Sequence, residues 1–149
     1  MKISLATKAD LTGILKLQPQ IYRVKFISPN AQEILSKLMD SESCDVLVAK
    51  KDLPAGKAGG QIVASAFIFY LPIPAHGAPY ALLEGLVVDK DHRSQGIGTS
   101  LFNKAVEIAK QKGAYKIIFT SGEDRTDTHK FYEKLGFKKW GFEFRKNLK

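Results

Sequence analysis

The chain has 149 residues, 44% of them hydrophobic, and its 23 Lys and Arg against 15 Asp and Glu give a formal net charge of +8. That length suits one domain with its own core, and the mixture excludes both a disordered tail and an integral membrane protein. A single cysteine, Cys44, excludes an internal disulfide framework, and the first residues lack the apolar core of a signal peptide, so the expected location is the cytoplasm. The basic residues are dispersed and thicken only after Lys130, without a block of like charge, so they read first as a solvated face.

Residues 2–5 alternate as a short strand. Thr7 and Asp10 stand at capping-box spacing ahead of Leu11, Ile14 and Leu15, which predicts a helix. A second helix is expected from Ser28 and Pro29, with Ala31, Ile34, Leu35 and Leu38 on one face. Residues 45–50 read as a strand, and 52–60, rich in Gly, Ala and Pro, as a long hairpin loop. Strands are expected at 61–71 and 80–88, separated by the turn residues Pro72, Pro74, Gly77 and Pro79. Leu101, Phe102, Ala105, Ile108 and Ala109 recur at helical spacing, and Gly113 is placed to end that helix. A short strand at 115–120 follows. The last helix carries Thr128, Phe131, Tyr132 and Leu135 and closes at Gly136, after which Trp140, Phe142 and Phe144 alternate as a final strand. This order, β-α-α-β-β-β-α-β-α-β, predicts an α/β (α+β) fold with a mixed, mostly antiparallel sheet and helices on both faces.

Chemistry concentrates where the strand ending at Val88 passes through a polar loop into a helix opened by Gly96 and Gly98. Glycine lets a backbone approach a ligand closely, and the free amides of a first helical turn attract anions. Arg93 adds a cation. The spacing fits neither the Walker pattern nor the dinucleotide fingerprint. A tight strand-to-helix turn without a ligand is the other reading of the two glycines.

Arg93-Ser94-Gln95-Gly96-Ile97-Gly98 matches the pyrophosphate signature of the GNAT family of N-acetyltransferases, which this chain resembles. The family's preceding strand is matched by Leu86-Val87-Val88, and its late helix by Phe131-Tyr132-Glu133-Lys134-Leu135-Gly136-Phe137. The resemblance runs over the whole chain, 1–149, as one domain, and implies a sheet of six to seven strands. It also implies acetyl-CoA as co-substrate. Its pyrophosphate would sit on the amides from Gln95 to Thr99, its pantetheine arm along Leu86, Val87 and Val88, and its acetyl group in a splay between the fourth and fifth strands. A primary amine of a small molecule or peptide would then attack directly in a ternary complex.

That reaction needs a base for the ammonium proton and an acid for the departing thiolate. Glu84 is the candidate base, because it interrupts the apolar run from Ala81 to Leu86; a carboxylate on the solvated side of the sheet is the other reading. Tyr132 is the candidate acid through its place in the Phe-Tyr-Glu motif, and a core tyrosine is its alternative role. Arg125 stands where the family often has an Asn that bonds the pantetheine, so it is the residue to watch for a phosphate or a carboxylate. Tyr22, Phe26, Tyr70 and Tyr80 are candidates to wall the acceptor pocket or to pack the core. His76, His92 and His129 lack metal-ligand spacing, so no metal is expected. The competing functions are a non-catalytic acyl-CoA-binding sensor and a basic nucleic-acid-binding domain, the latter without the clustered basic helix it needs. No membrane partner is expected, and the resemblance adds a homodimer through the last strands as an option.

Overall fold

The computed structural model describes residues 1–22, 24–52 and 60–148, which fall into two compact units, Met1–Ile118 and Phe119–Lys149. The first unit holds β1 (Lys2–Leu5), α1 (Leu11–Leu17), α2 (Ala31–Met39), β2 (Cys44–Asp52), β3 (Gly60–Ile73), β4 (Ala78–Val88), α3 (Ile97–Gln111) and β5 (Ile117–Ile118). The second holds α4 (Thr126–Lys134). The strands form one sheet in the order β1-β2-β3-β4-β5, antiparallel except for the last pair. The interior of the expected 52–60 loop, residues 53–59, lies outside the described residues.

Alternation along β2 assigns the two faces of the sheet. Cys44, Val46 and Val48 are buried in a cluster with Ile14 of α1 and Leu35 of α2, against which Phe67 and Phe69 of β3 pack. Leu47 and Ala49 are equally buried but point the other way, toward the face that α3 covers with Leu101, Phe102, Ala105, Ile108 and Ala109. Helices therefore stand on both sides, as the periodicity predicts. Tyr70 belongs to the α3 face, where its hydroxyl donates to Asp45 Oδ2 at 2.8 Å and Lys112 Nζ lies 5.6 Å from its ring. It packs the core, one of the two roles its sequence left open.

The start of α1 is set by Asp10, which is buried. Its carboxylate accepts from Thr7 N at 2.8 Å, closing the expected capping box, and from Lys50 Nζ of β2 at 2.8 Å. Helix entry and sheet are thereby joined through one side chain.

β4 carries an extra residue. Phe67 pairs with Glu84 but Ser65 with Val87, so Gly85 and Leu86 bulge out of the ladder. Gly85 has φ +59°, and a Cβ there would lie 2.8 Å from the Phe67 ring and 3.7 Å from Ile21 Cδ1. Only glycine meets both demands.

The sheet has five strands among the described residues, against the six to seven that the resemblance implies, a small difference within the same fold. Residues 137–148 form no strand, and Trp140, Phe142 and Phe144 are 93%, 83% and 95% exposed. Alternation supplies a strand's side-chain pattern, but a strand also needs a partner for its backbone groups, and no described strand pairs with this segment.

Three outcomes follow from the packing. Gly85→Ala should cost about 2 kcal/mol or more in denaturant unfolding, since left-handed backbone and the Phe67 contact both oppose a methyl group. Burial by itself raises the Asp10 carboxyl, but the hydrogen bonds from Lys50 and Thr7 outweigh it and hold it below its ordinary 3.8. A folded-state value below the unfolded one stabilises the fold above about pH 4 and is lost as pH falls through the folded value. The stability gap between the parent and Asp10→Asn should accordingly be open at pH 7 and shrink at pH 3. Burial pushes the Cys44 thiol up to about 11, so a maleimide at pH 7.5 should label it at least ~100-fold more slowly in the folded protein than in denaturant.

Candidate functional site

The backbone leaves β4 with one edge open. β5 pairs with it only at Ala81↔Ile117 and Leu82↔Ile118, and no described strand continues the pairing on that side from Leu83 to Val88. Leu86, Val87 and Val88 therefore lie along an unpaired stretch of strand edge, the position in which an extended ligand can bond backbone groups. Glu84 sits just before the bulge on this stretch. Its side chain is exposed, and no ion pair or hydrogen bond engages the carboxylate among the described residues. It is neither buried nor salt-bridged, so the apolar run it interrupts costs it no desolvation.

Beyond Val88 the chain makes a single turn of 3-10 helix, Lys90–His92, and enters α3. Asp89 holds the turn: its Oδ1 accepts from Asp91 N at 2.9 Å, and its own N donates to Val63 O at 2.8 Å. The bond from Asp91 N, with lesser help from Gln20 and His92, keeps the Asp89 carboxyl below the usual aspartate range. Gln20, after α1, reaches over from the other side. Its Oε1 accepts from Lys90 N at 2.8 Å and its Nε2 donates to Asp89 Oδ2 at 3.4 Å. Sequence reading missed this clamp, since a glutamine after a helix carries no signal of its own. It also missed the Gly85 bulge, although Glu84-Gly85 inside a strand is a pattern that announces one.

The loop itself leaves backbone donors open. Ser94 has φ +60°, the one positive φ outside glycine among the described residues, and Gly96 has φ +75°. Strain of that kind persists where the surrounding structure imposes it, and such positions gather at binding sites. Gly96 is the N-cap of α3 without a side-chain cap, so the first amides of the helix, at Ile97, Gly98 and Thr99, have no intrahelical acceptor. Space beyond Gly96 is open, with nothing within 4 Å of where its Cβ would be. Ser94, Gln95 and Gly96 are exposed, Gly98 and Thr99 half-buried, and Ile97 is buried as the anchor of the turn. Arg93 is exposed; its Nε donates to Val88 O at 3.1 Å, pinning the guanidinium at the mouth of the loop. Open amides, a helix dipole and a fixed cation together favour a phosphate or pyrophosphate.

A cavity of about 320 Å³ lies against the loop's other flank, lined by His92, Gln95 and Ile97 with Met1, Lys51, Asp52 and Val63. It does not include Glu84.

The family model for the acetyltransferase (GNAT) family matches residues 12–137. The chain belongs to that family. It is 39% identical over 80 residues to a glucosamine 6-phosphate N-acetyltransferase of Trypanosoma brucei brucei, covering 53% of this chain and 52% of that protein. Over 81 residues it is 32% identical to streptothricin acetyltransferase A of Bacillus subtilis, covering 49% and 47%. The matched part of this GNAT chain thus spans about half the length of these curated relatives. A solved structure of a putative acetyltransferase from Agrobacterium tumefaciens superposes with a TM-score of 0.81 at 26% identity, over 98% of this chain and 100% of that one.

The second unit carries the remaining candidates. Tyr132, on α4, is half-buried; its ring meets Phe119 edge-on at 4.6 Å, and Phe119 meets Phe137 at 4.9 Å. Phe119, with Phe131 at 5.6 Å, thus orients the phenol ring. Arg125 is the N-cap of α4, where its backbone N donates to Gly122 O at 3.1 Å and its own O accepts from His129 N at 3.0 Å. His129 Nε2 lies 2.9 Å from Gly122 O and ties the helix to the preceding turn. Of the other side chains considered, Tyr22 and Phe26 are exposed, Tyr80 is half-buried, and His76 stacks on Tyr115 at 4.3 Å. Among the described residues no group of His, Cys, Asp and Glu is arranged to hold a metal, and no helix is long and apolar enough to cross a membrane.

Gln20→Ala should loosen the turn at Asp89. The expected readout is faster amide hydrogen exchange at Lys90 and Asp91, with the β2–β3 ladder unchanged.

Proposed function

We propose that this chain, working as one domain, is an N-acetyltransferase that moves the acetyl group of acetyl-CoA to a primary amine by direct attack in a ternary complex. The observation that carries the reading is the succession of three features. An exposed carboxylate at Glu84, an unpaired strand edge at 86–88 and an uncapped helix N-terminus at Gly96 follow one another along a single stretch of chain. Family membership gives that stretch its chemistry.

In this reading Arg93 and the amides from Gln95 to Thr99, with the glycines at 96 and 98, hold the pyrophosphate. Leu86, Val87 and Val88 offer backbone donors and acceptors to the pantetheine amides, and a strand-edge amide polarises the thioester carbonyl. Glu84 accepts the proton of the incoming ammonium, directly or through one water, which leaves the amine lone pair free to attack. Tyr132 donates its phenolic proton to the departing thiolate. Arg125 contributes a cation to the cofactor's phosphates in place of the family's Asn.

Acetyl-CoA at about 100 times its dissociation constant should stabilise the fold by about 2.7 kcal/mol, a rise of several degrees in Tm that exceeds the rise with 3′,5′-ADP. Absence of any shift with either ligand would overturn the reading. Glu84→Gln should lower kcat by about 100-fold or more while the acetyl-CoA Kd stays within about twofold. Tyr132→Phe should likewise lower kcat more than it raises that Kd. Full binding with no turnover on any amine would instead favour an acyl-CoA-binding sensor.

A further inference from the structure

Resting on the acetyltransferase reading, we propose that Gln20 is a positioning residue for the acetyl donor: by holding the turn that feeds the loop at 93–99, it sets how tightly acetyl-CoA is bound. Gln20 ends a single 3-10 turn, Gln18–Gln20, directly after α1. Ile14 and Leu17 of α1 are buried, and Pro19 restricts the backbone next to Gln20, so the amide projects from a fixed base. Its hydrogen bonds go to Asp89 and Lys90, ahead of the loop and not within it.

The chemistry of these partners fixes which way the amide faces. A backbone N–H can only donate, so Lys90 N takes the oxygen, at 2.8 Å. The Asp89 carboxyl, held below the usual aspartate range chiefly by the bond from Asp91 N, is ionised at neutral pH and can only accept, so it takes the nitrogen, at 3.4 Å. Asp89 is the hub of the turn. Its Oδ2 meets Gln20, its Oδ1 lies 2.9 Å from Asp91 N and 3.6 Å from His92 Nδ1, and its backbone O accepts from His92 N at 2.9 Å. Arg93 follows at once, with its Nε bonded to Val88 O. A side chain at the end of α1 is thus joined, through one carboxylate, to the residue before the loop's cation.

The loop needs such a hold. Ser94 and Gly96 both have positive φ, and a serine there is strained, so the conformation stands only while its surroundings impose it. The bonds made within 88–93 are local and move with the turn. Those of Gln20, like the bond from Asp89 N to Val63 O, tie the turn to separate elements. Without Gln20 the turn samples other arrangements, and the amides ahead of α3 are aligned for a pyrophosphate in only a fraction of molecules. Affinity then falls by that fraction. A bound cofactor holds the loop as well, so the loss falls on acetyl-CoA binding and not on the steps that follow it.

The test is the acetyl-CoA Kd, read by calorimetry, of the parent, Gln20→Ala and Gln20→Glu, with Tm as the control for folding. Gln20→Ala should raise Kd about 5- to 10-fold and leave Tm nearly unchanged. Gln20→Glu keeps an acceptor for Lys90 N but sets a second carboxylate against Asp89, and at pH 8 its Kd should rise at least as far. As pH falls to 5 the introduced carboxyl, raised by its like-charged neighbour, takes up a proton and donates to Asp89 in place of the lost amide, so the ratio of its Kd to the parent's should fall toward one. Lys90, Asp91, His92 and Arg93 flank the turn in both proteins, and the ratio removes their effect. A Gln20→Ala Kd within about twofold of the parent's, or a Gln20→Glu ratio that stays flat from pH 8 to 5, overturns the inference and leaves the acetyltransferase reading standing. Affinity lost only together with Tm makes Gln20 a folding residue and overturns it as well. If the parent itself binds no acetyl-CoA, both fall.

Discussion

The extra residue in β4 is the constraint on which the site depends. Without the bulge at Gly85 the β3–β4 ladder would run regularly through to Val88, and the side chains after Gly85 would exchange faces. With it, Glu84 keeps the face of α1 and α2, Val87 returns to the same face as Ser65, and the strand bends before its last residues. The bend falls just past the point where β5 ceases to pair, so the strand edge beyond it is both free and re-aimed. Gly85 tolerates this because its backbone is left-handed and because the Phe67 ring and Ile21 leave no room for a side chain.

Electrostatics at the loop follow from backbone more than from side chains. The chain's excess of 23 cationic over 15 anionic residues is dispersed, and Arg93 is the cation that the loop itself supplies. The remaining positive potential comes from the uncapped amides at the start of α3, which helix geometry points the same way. A dipole fixed by folding needs no reorganisation when a ligand arrives, whereas flexible lysines must be ordered first.

Most of the fold was legible in the sequence because the elements that pack announce themselves. The five apolar residues foreseen for α3 are all buried, Thr7 and Asp10 do close a capping box, and Gly113 and Gly136 both have the positive φ of a helix end. The glycine at the start of α3 was legible for a related reason, since the left-handed backbone at Gly96 admits few residue types. The clamp by Gln20 was not, because it spans some 70 positions and either end alone is an ordinary polar residue. Tyr70 was left open for a different cause: a tyrosine in an apolar strand reads alike whether it faces a ligand or, as here, Asp45 beneath a helix. The alternation at Trp140, Phe142 and Phe144 is a local pattern that no described strand pairs with, and it produced an expected strand that did not form.

Gln20 and Ile21 are consecutive, yet they serve different neighbours. One grips the turn at Asp89 and Lys90, and the other rests beside the bulge and begins the exposed apolar link. The anchor and the exposed apolar link therefore meet at a single peptide bond. A substitution after Ile21 thus changes the exposed link without touching the side chain that holds the turn at the entry to α3.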